Sequence, residues 1–304
     1  HSVAVVRDTL RSSTADYQTA IGNNALYAAT SGIGNTAVGF NSSRYLTEGD
    51  YNITLGYEAG KAITTGDKNI YIGYQAGDGS DAESGMIGIG EGALGGTSQG
   101  AAYCIAIGNN AMLTTTSATY TVAIGQGAGQ NTSTGGNNVF VGANAGYANT
   151  TGTRNIAIGK TAYDASDTEN DNIAIGYNAM TTNTAGGEKN IAIGSYAGDA
   201  ITSGDNNVLV GYQAGTKINS GNHNTFIGYK AGEDTTTATE AVAIGDFALN
   251  ENTTGGGNVA VGHQALKYTA TGLRNTAIGL DAGLAITDGD RNTALGNDTL
   301  RAVN

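Results

Sequence analysis

The chain contains no proline and no tryptophan, and only one cysteine and four phenylalanines, in 304 residues. Each scarcity excludes something. Proline would delete a backbone donor from a regular hydrogen-bonded array, so its absence fits a chain paired along its whole length. With Cys104 alone, no disulfide framework exists within one chain, and the redox compartment is left open. Basic residues are few: 14 Lys and Arg stand against 26 Asp and Glu, for a net charge of -12. A nucleic-acid binder needs a basic stripe to neutralise phosphates, so nucleic acid is not expected as a partner. No apolar run approaches the roughly 18 residues of a membrane helix and no signal peptide is visible, so membrane insertion is not expected either. Because the first residue is His1 and not Met, the sequence reads as a processed chain or an excerpt of a longer one.

What is present is a repeat. The pentapeptide Asn155-Ile156-Ala157-Ile158-Gly159 returns with conservative changes, its glycine falling at Gly22, Gly39, Gly56, Gly73, Gly90, Gly108, Gly125, Gly142, Gly159, Gly176, Gly194, Gly211, Gly228, Gly245, Gly262, Gly279 and Gly296. Of the sixteen spacings fourteen are 17 residues and two are 18, and a degenerate copy begins at Ser2. A period of 17 is too short for a helix pair or a propeller blade. It suits one coil of a β-solenoid, rich in the 49 glycines and many Asn, Thr and Ser that tight turns require. No linker, composition shift or polar cap interrupts it, so residues 1–304 read as a single uncapped array of about 17 full rungs. The two 18-residue copies must each add a loop residue, since the strand motif on either side is intact.

Positions are numbered here from the recurring glycine. Position -1 is Ile, Val or Leu and position -3 is Ile, Val or Thr in every copy, so the two share one face of a strand and are expected to form the interior of the roll. Position -2 is Ala in eleven copies and Tyr71, Phe140, Leu209 and Phe226 in four more. A strand apolar on both faces needs a cover on each, which predicts that the -2 face is a seam between chains. Position -4 is Asn in twelve copies, including Asn155, and predicts a ladder of amides bonded from rung to rung. Gly159 and its equivalents end the strand where a positive φ or a close backbone approach is needed. A longer rhythm overlies the rungs: position +4 is large at Leu26, Leu94, Met112, Tyr163 and Met180 but is Gly60, Gly77, Gly129, Gly146, Gly198, Gly215 and Gly232 elsewhere. The bulky -2 residues sit in rungs with glycine at +4. This predicts that Tyr71 packs against Gly60 or Gly77, and Phe140 against Gly129 or Gly146, in the same or a neighbouring chain.

No catalytic constellation is legible, and no cofactor is expected. His1, His223 and His263 are scattered, and the Gly-x-Gly strings around Gly88 to Gly92 lack the helix a dinucleotide site requires. The acidic turns at Asp50, Asp67, Asp205 and Asp290 supply one carboxylate each, which favours plain side-chain-capped turns over calcium. An ice-binding face would need a flat Thr array, whereas Thr here is confined to turns expected to be irregular. One position varies freely enough for recognition: the residue after the glycine is Tyr57, Tyr74, Tyr177, Tyr212 or Tyr229 in five rungs. A row of tyrosines offers apolar faces and polar tips to sugar rings, although the plainer reading is that they cover the ladder beneath.

At Asn258-Val259-Ala260-Val261-Gly262-His263-Gln264-Ala265-Leu266, with Thr271-Gly272 following, the sequence resembles the head repeats of YadA-type trimeric autotransporter adhesins and, more closely in period, the related repeats of bacteriophage tail fibres. The resemblance covers essentially the whole chain. It implies a left-handed parallel β-roll wound as a homotrimer, exposed extracellularly on a cell surface or virion and contacting a receptor or glycan. The expectation is an all-β parallel solenoid acting as a non-enzymatic fibre or adhesin shaft. The alternatives are the subunit of a self-assembling filament and, from another class, an enzyme platform such as a polysaccharide lyase β-helix.

Overall fold

A computed structural model describes residues 2–5, 8–11, 13–97, 99–182 and 186–301. The chain divides into two compact units, His1–Thr153 and Arg154–Asn304. Three-residue strands run from Val3–Val5 to Val139–Val141 in the first and from Ile156–Ile158 to Thr293–Leu295 in the second. There is no helix among the described residues. Within each unit every strand pairs in parallel with the next, residue for residue: Ile53 beside Ile70, Ile191 beside Val208. Each unit is therefore a parallel β-solenoid with one strand per repeat.

The strands are short because each rung turns at its glycine. Gly159 has φ +135°, and a Cβ there would fall on the carbonyl oxygen of Gly176, so only glycine lets successive rungs approach this closely. Left-handed residues then bend the chain at positions +2, +4 and +12, as at Gln75, Leu94 and Lys68. Each non-glycine residue held there costs about 1 kcal/mol. Hydrogen bonds between rungs hold these corners, for example Gln75 N–H to Tyr57 O at 2.9 Å and Lys68 N–H to Asp50 O at 2.8 Å.

The interior corrects two linked expectations. Position -2 faces inward, with Ala20, Tyr71, Phe140, Leu209 and Phe226 all fully buried, while positions -1 and -3 face outward. The period-2 alternation is as read; the assignment of the faces is reversed. The -2 face is thus the core of a single chain and not a seam. The roll is narrow, and the wall opposite the sheet is built from the alanine column at +3 and the residues at +4, which leaves room for stacked alanines but not for stacked isoleucines. The larger side chains accordingly line the outside.

The volume trade operates in this core, within one chain. Cβ atoms added to Gly60 and Gly88 would stand 3.2 and 2.9 Å from the Tyr71 ring, and one at Gly77 would lie on the ring itself. Phe140 likewise fills the space beside Gly129 and Gly146, and Leu209 lies between Gly198 and Gly215. Burial pushes the Tyr71 phenol well above the usual tyrosine range. Gly146→Leu overpacks the Phe140 site at a left-handed residue and is expected to cost about 2–4 kcal/mol, while Leu94→Met, a volume-conserving change, costs under about 1.5 kcal/mol. Urea midpoints of the two variants check this, and equal midpoints would remove the trade.

The amide ladder runs along the buried edge between turn and strand. Asn52 Nδ2 donates to Gly66 O at 2.8 Å, and Asn52 Oδ1 accepts the backbone N–H of Asn69 at 3.0 Å. In the second unit Asn155 donates to Glu169 O and accepts from Asn172 N–H in the same way. Cys104 occupies this column: its buried thiol points at Ala118 O, fourteen residues on as the amides do, at 3.4 Å. Burial raises its thiol above the ordinary range.

Strand pairing is unbroken across the longer copies, with Ile87 beside Ile105 and Ile173 beside Ile191. Parts of the two lengthened loops, at residues 98 and 183–185, lie outside the described residues.

Candidate functional site

The aspartates of the four acidic turns are committed to backbone. The Asp50 carboxylate accepts Ile33 N–H at 2.7 Å, Asp67 accepts Asp50 N–H at 2.7 Å, and Asp205 and Asp290 accept Glu188 and Leu273 N–H groups at 2.8 Å. Each acidic turn thus caps the turn of the preceding rung. Among the described residues no group of three or more His, Cys, Asp and Glu is placed to hold a metal ion.

Two glutamates stand outside the sequence-based candidates. Glu83 and Glu169 occupy position +10, where most rungs have glycine, and both are nearly buried. Each lies in the rung before an 18-residue copy. Glu83 accepts Asp81 N–H at 2.7 Å and reaches across to Gly100 N–H at 3.1 Å; Glu169 accepts Asp167 and Thr168 N–H groups and reaches Gly186 N–H at 3.1 Å. The carboxylate supplies an acceptor to the lengthened turn of the next rung. The shared Ser-Asp-x-Glu strings beginning at Ser80 and Ser166 are the available signal.

The threonine turns are regular, which corrects the expectation of irregularity. At position +8 the hydroxyls of Thr30, Thr116, Thr236 and Thr253 each donate to the carbonyl one rung on, at 2.9–3.0 Å. Hydroxyls bonded to backbone in this way are not free to template ice.

Two surfaces stand apart from this self-contained bonding. The first is the outward sheet face, where Ile21, Ile53, Ile158, Ile193, Ile227 and Ile244 are all more than a third exposed. The second is the aromatic column at position +1. In the first unit Phe40, Tyr57 and Tyr74 stack face to face, with centroids 5.2 and 5.4 Å apart and planes within 18°. In the second unit the column runs Tyr177, Tyr196, Tyr212, Tyr229, Phe247, His263, one ring per rung. The five tyrosines named from the sequence are all exposed, between 42% and 51%. A count at +1 misses Tyr196 and Phe247, which sit at +2 in rungs where +1 is Ser195 or Asp246. Of the histidines, His263 joins the column, His223 is an exposed turn residue, and His1 lies outside the described residues.

These features define a β-solenoid repeat protein whose turns are bonded from rung to rung and whose sheet face and aromatic column are open. Comparison with protein-family models, with curated proteins and with solved structures finds no match.

Proposed function

We propose that the chain is a non-enzymatic fibre or adhesin shaft that winds with two further copies of itself and serves attachment at a cell surface or virion. The observation that carries this reading is the outward sheet face, on which every -1 residue is Ile, Val or Leu and every -3 residue is Ile, Val or Thr. An aliphatic face open to water along each unit is costly at about 25 cal/mol for each Å² of apolar surface, and a like face on another copy covers it with matching period. The number three comes from the resemblance of the repeat to trimeric adhesin heads and phage fibres. The non-enzymatic part rests on the carboxylates of Asp50, Asp67, Glu83 and Glu169, which are spent on backbone N–H groups.

Sedimentation velocity at micromolar concentration tests the reading, with a homotrimer expected. The double variant Ile227→Lys, Ile244→Lys places two charges on adjacent rungs of the seam, where each ring of three copies would bury them unpaired. It is expected to weaken assembly by roughly a hundredfold or more while the β-type circular dichroism persists. A monodisperse wild-type monomer would refute the reading, and endless filaments would favour the filament subunit instead.

A further inference from the structure

The second-unit aromatic column has three properties that self-packing alone does not require. It is continuous over six successive rungs, from Tyr177 to His263. Its continuity is maintained by displacement: where +1 carries Ser195 or Asp246, the ring comes from +2, a position left-handed throughout the array, at which Tyr196 and Phe247 have φ of 60° and 57°. Most other rungs put a polar residue at +2, and a bulky residue in that conformation is unfavourable. Finally, the two displaced rings stand across their neighbours. Tyr196 is tilted 88° and 82° to Tyr177 and Tyr212, and Phe247 74° and 82° to Tyr229 and His263. Parallel rings cover one another's faces, as in the Phe40, Tyr57, Tyr74 stack; crossed rings interrupt that mutual cover. Ser195 and the exposed Asp246 hold position +1 of the same two rungs, and the Asp246 carboxylate accepts Tyr229 N–H at 3.3 Å.

We propose that this column is a contact strip for an extended, uncharged β-1,4-linked glycan. The proposal rests on the attachment reading and names the ligand for it. Such a chain presents alternating apolar C–H faces and hydroxyl edges, which match rings with polar tips and neighbouring polar groups. Neighbouring ring centroids are 5.2–6.4 Å apart on rungs that advance about 4.8 Å each, comparable with one ring per sugar of an extended chain. A net charge of -12 opposes polyanionic glycans.

The test is calorimetric titration of the full chain with chitohexaose and cellohexaose. Saturable binding of at least one is expected, weakened roughly a hundredfold or more in the fourfold variant Y196S, Y212S, Y229S, F247S. The control variant Y103S, Y120S removes a stacked, exposed pair from a different column and is expected to bind as the wild type does. If the fourfold variant does not fold, the single changes Y212S and Y229S, each at a half-exposed ring, retain the readout. No wild-type binding to either oligosaccharide overturns the proposal, as does binding undiminished in the variants. Either result leaves the fibre reading to the sedimentation test, which does not depend on the strip.

Discussion

Gly159→Ala is expected to destabilise the second unit by about 3 kcal/mol or more. Two effects add. The residue has φ +135°, a region open in practice only to glycine, where strain costs about 1–3 kcal/mol. The new methyl group also meets the Gly176 carbonyl, which is backbone and cannot swing aside. Relief requires the two rungs to part, which strains the bond from Gly176 N–H to Ile158 O at 2.8 Å. Because each rung of a solenoid touches only its neighbours, the damage is local. Amide exchange should accelerate around Ile158 and Gly176 and stay unchanged near Gly262. Gly100→Ala supplies the contrast, since its Cβ meets nothing within 4 Å and only the backbone term applies. Equal losses for both variants would show that steric contact between glycines is not what keeps the column.

Asn207→Leu is expected to cost about 3–5 kcal/mol. Asn207 Nδ2 donates to Asn190 Oδ1 and Gly221 O, and its Oδ1 accepts from the N–H and Nδ2 of Asn224, at 2.9–3.0 Å. Leucine nearly matches the volume but leaves the Gly221 carbonyl and the Asn224 N–H without these partners, at about 1–3 kcal/mol each. The chain shows what tolerable exceptions require. Where the column carries Ala241, the carbonyl at the equivalent place, Gly255, accepts instead from Asn252 Nδ2 and Asn258 Nδ2 at 3.0 and 3.1 Å. Thr121 Oγ1 accepts Asn138 N–H at 3.3 Å. Asn207→Thr should therefore fall between wild type and Asn207→Leu in denaturant midpoint, and the reverse order would discredit the ladder as a source of stability.

The period, the strand positions and the glycine and asparagine columns are legible because each is written many times over, in residues with narrow conformational or bonding requirements. The Tyr71 and Phe140 packing is legible because volume is conserved in a closed core. The inward face is not. Alternation distinguishes two faces without saying which is inside, and hydrophobicity points the wrong way when the smaller residue, Ala157, belongs to the narrow interior and the larger Ile158 to the open side. Glu83 and Glu169 are obscured for another reason: each acts on the following rung, so reading one repeat at a time separates the carboxylate from the loop it serves. Tyr196 and Phe247 are hidden by counting a fixed position, when the side chain that completes the column comes from the residue beside it.

The pairing of each buried glutamate with the longer rung that follows has a consequence for how such an array changes length over generations. An ordinary coil can be duplicated or lost by slippage in the gene, because its neighbours on both sides present the same surface. The coil holding Glu83 and the one holding Gly100 cannot be exchanged so freely. Losing the second alone removes one of the two N–H groups bonded to the Glu83 carboxylate, and losing the first alone removes the acceptor of the Gly100 N–H. The Glu169 carboxylate and the Gly186 N–H are linked in the same way. These coils should therefore be inherited as doublets, landmarks of fixed composition in a sequence whose other coils are free to multiply.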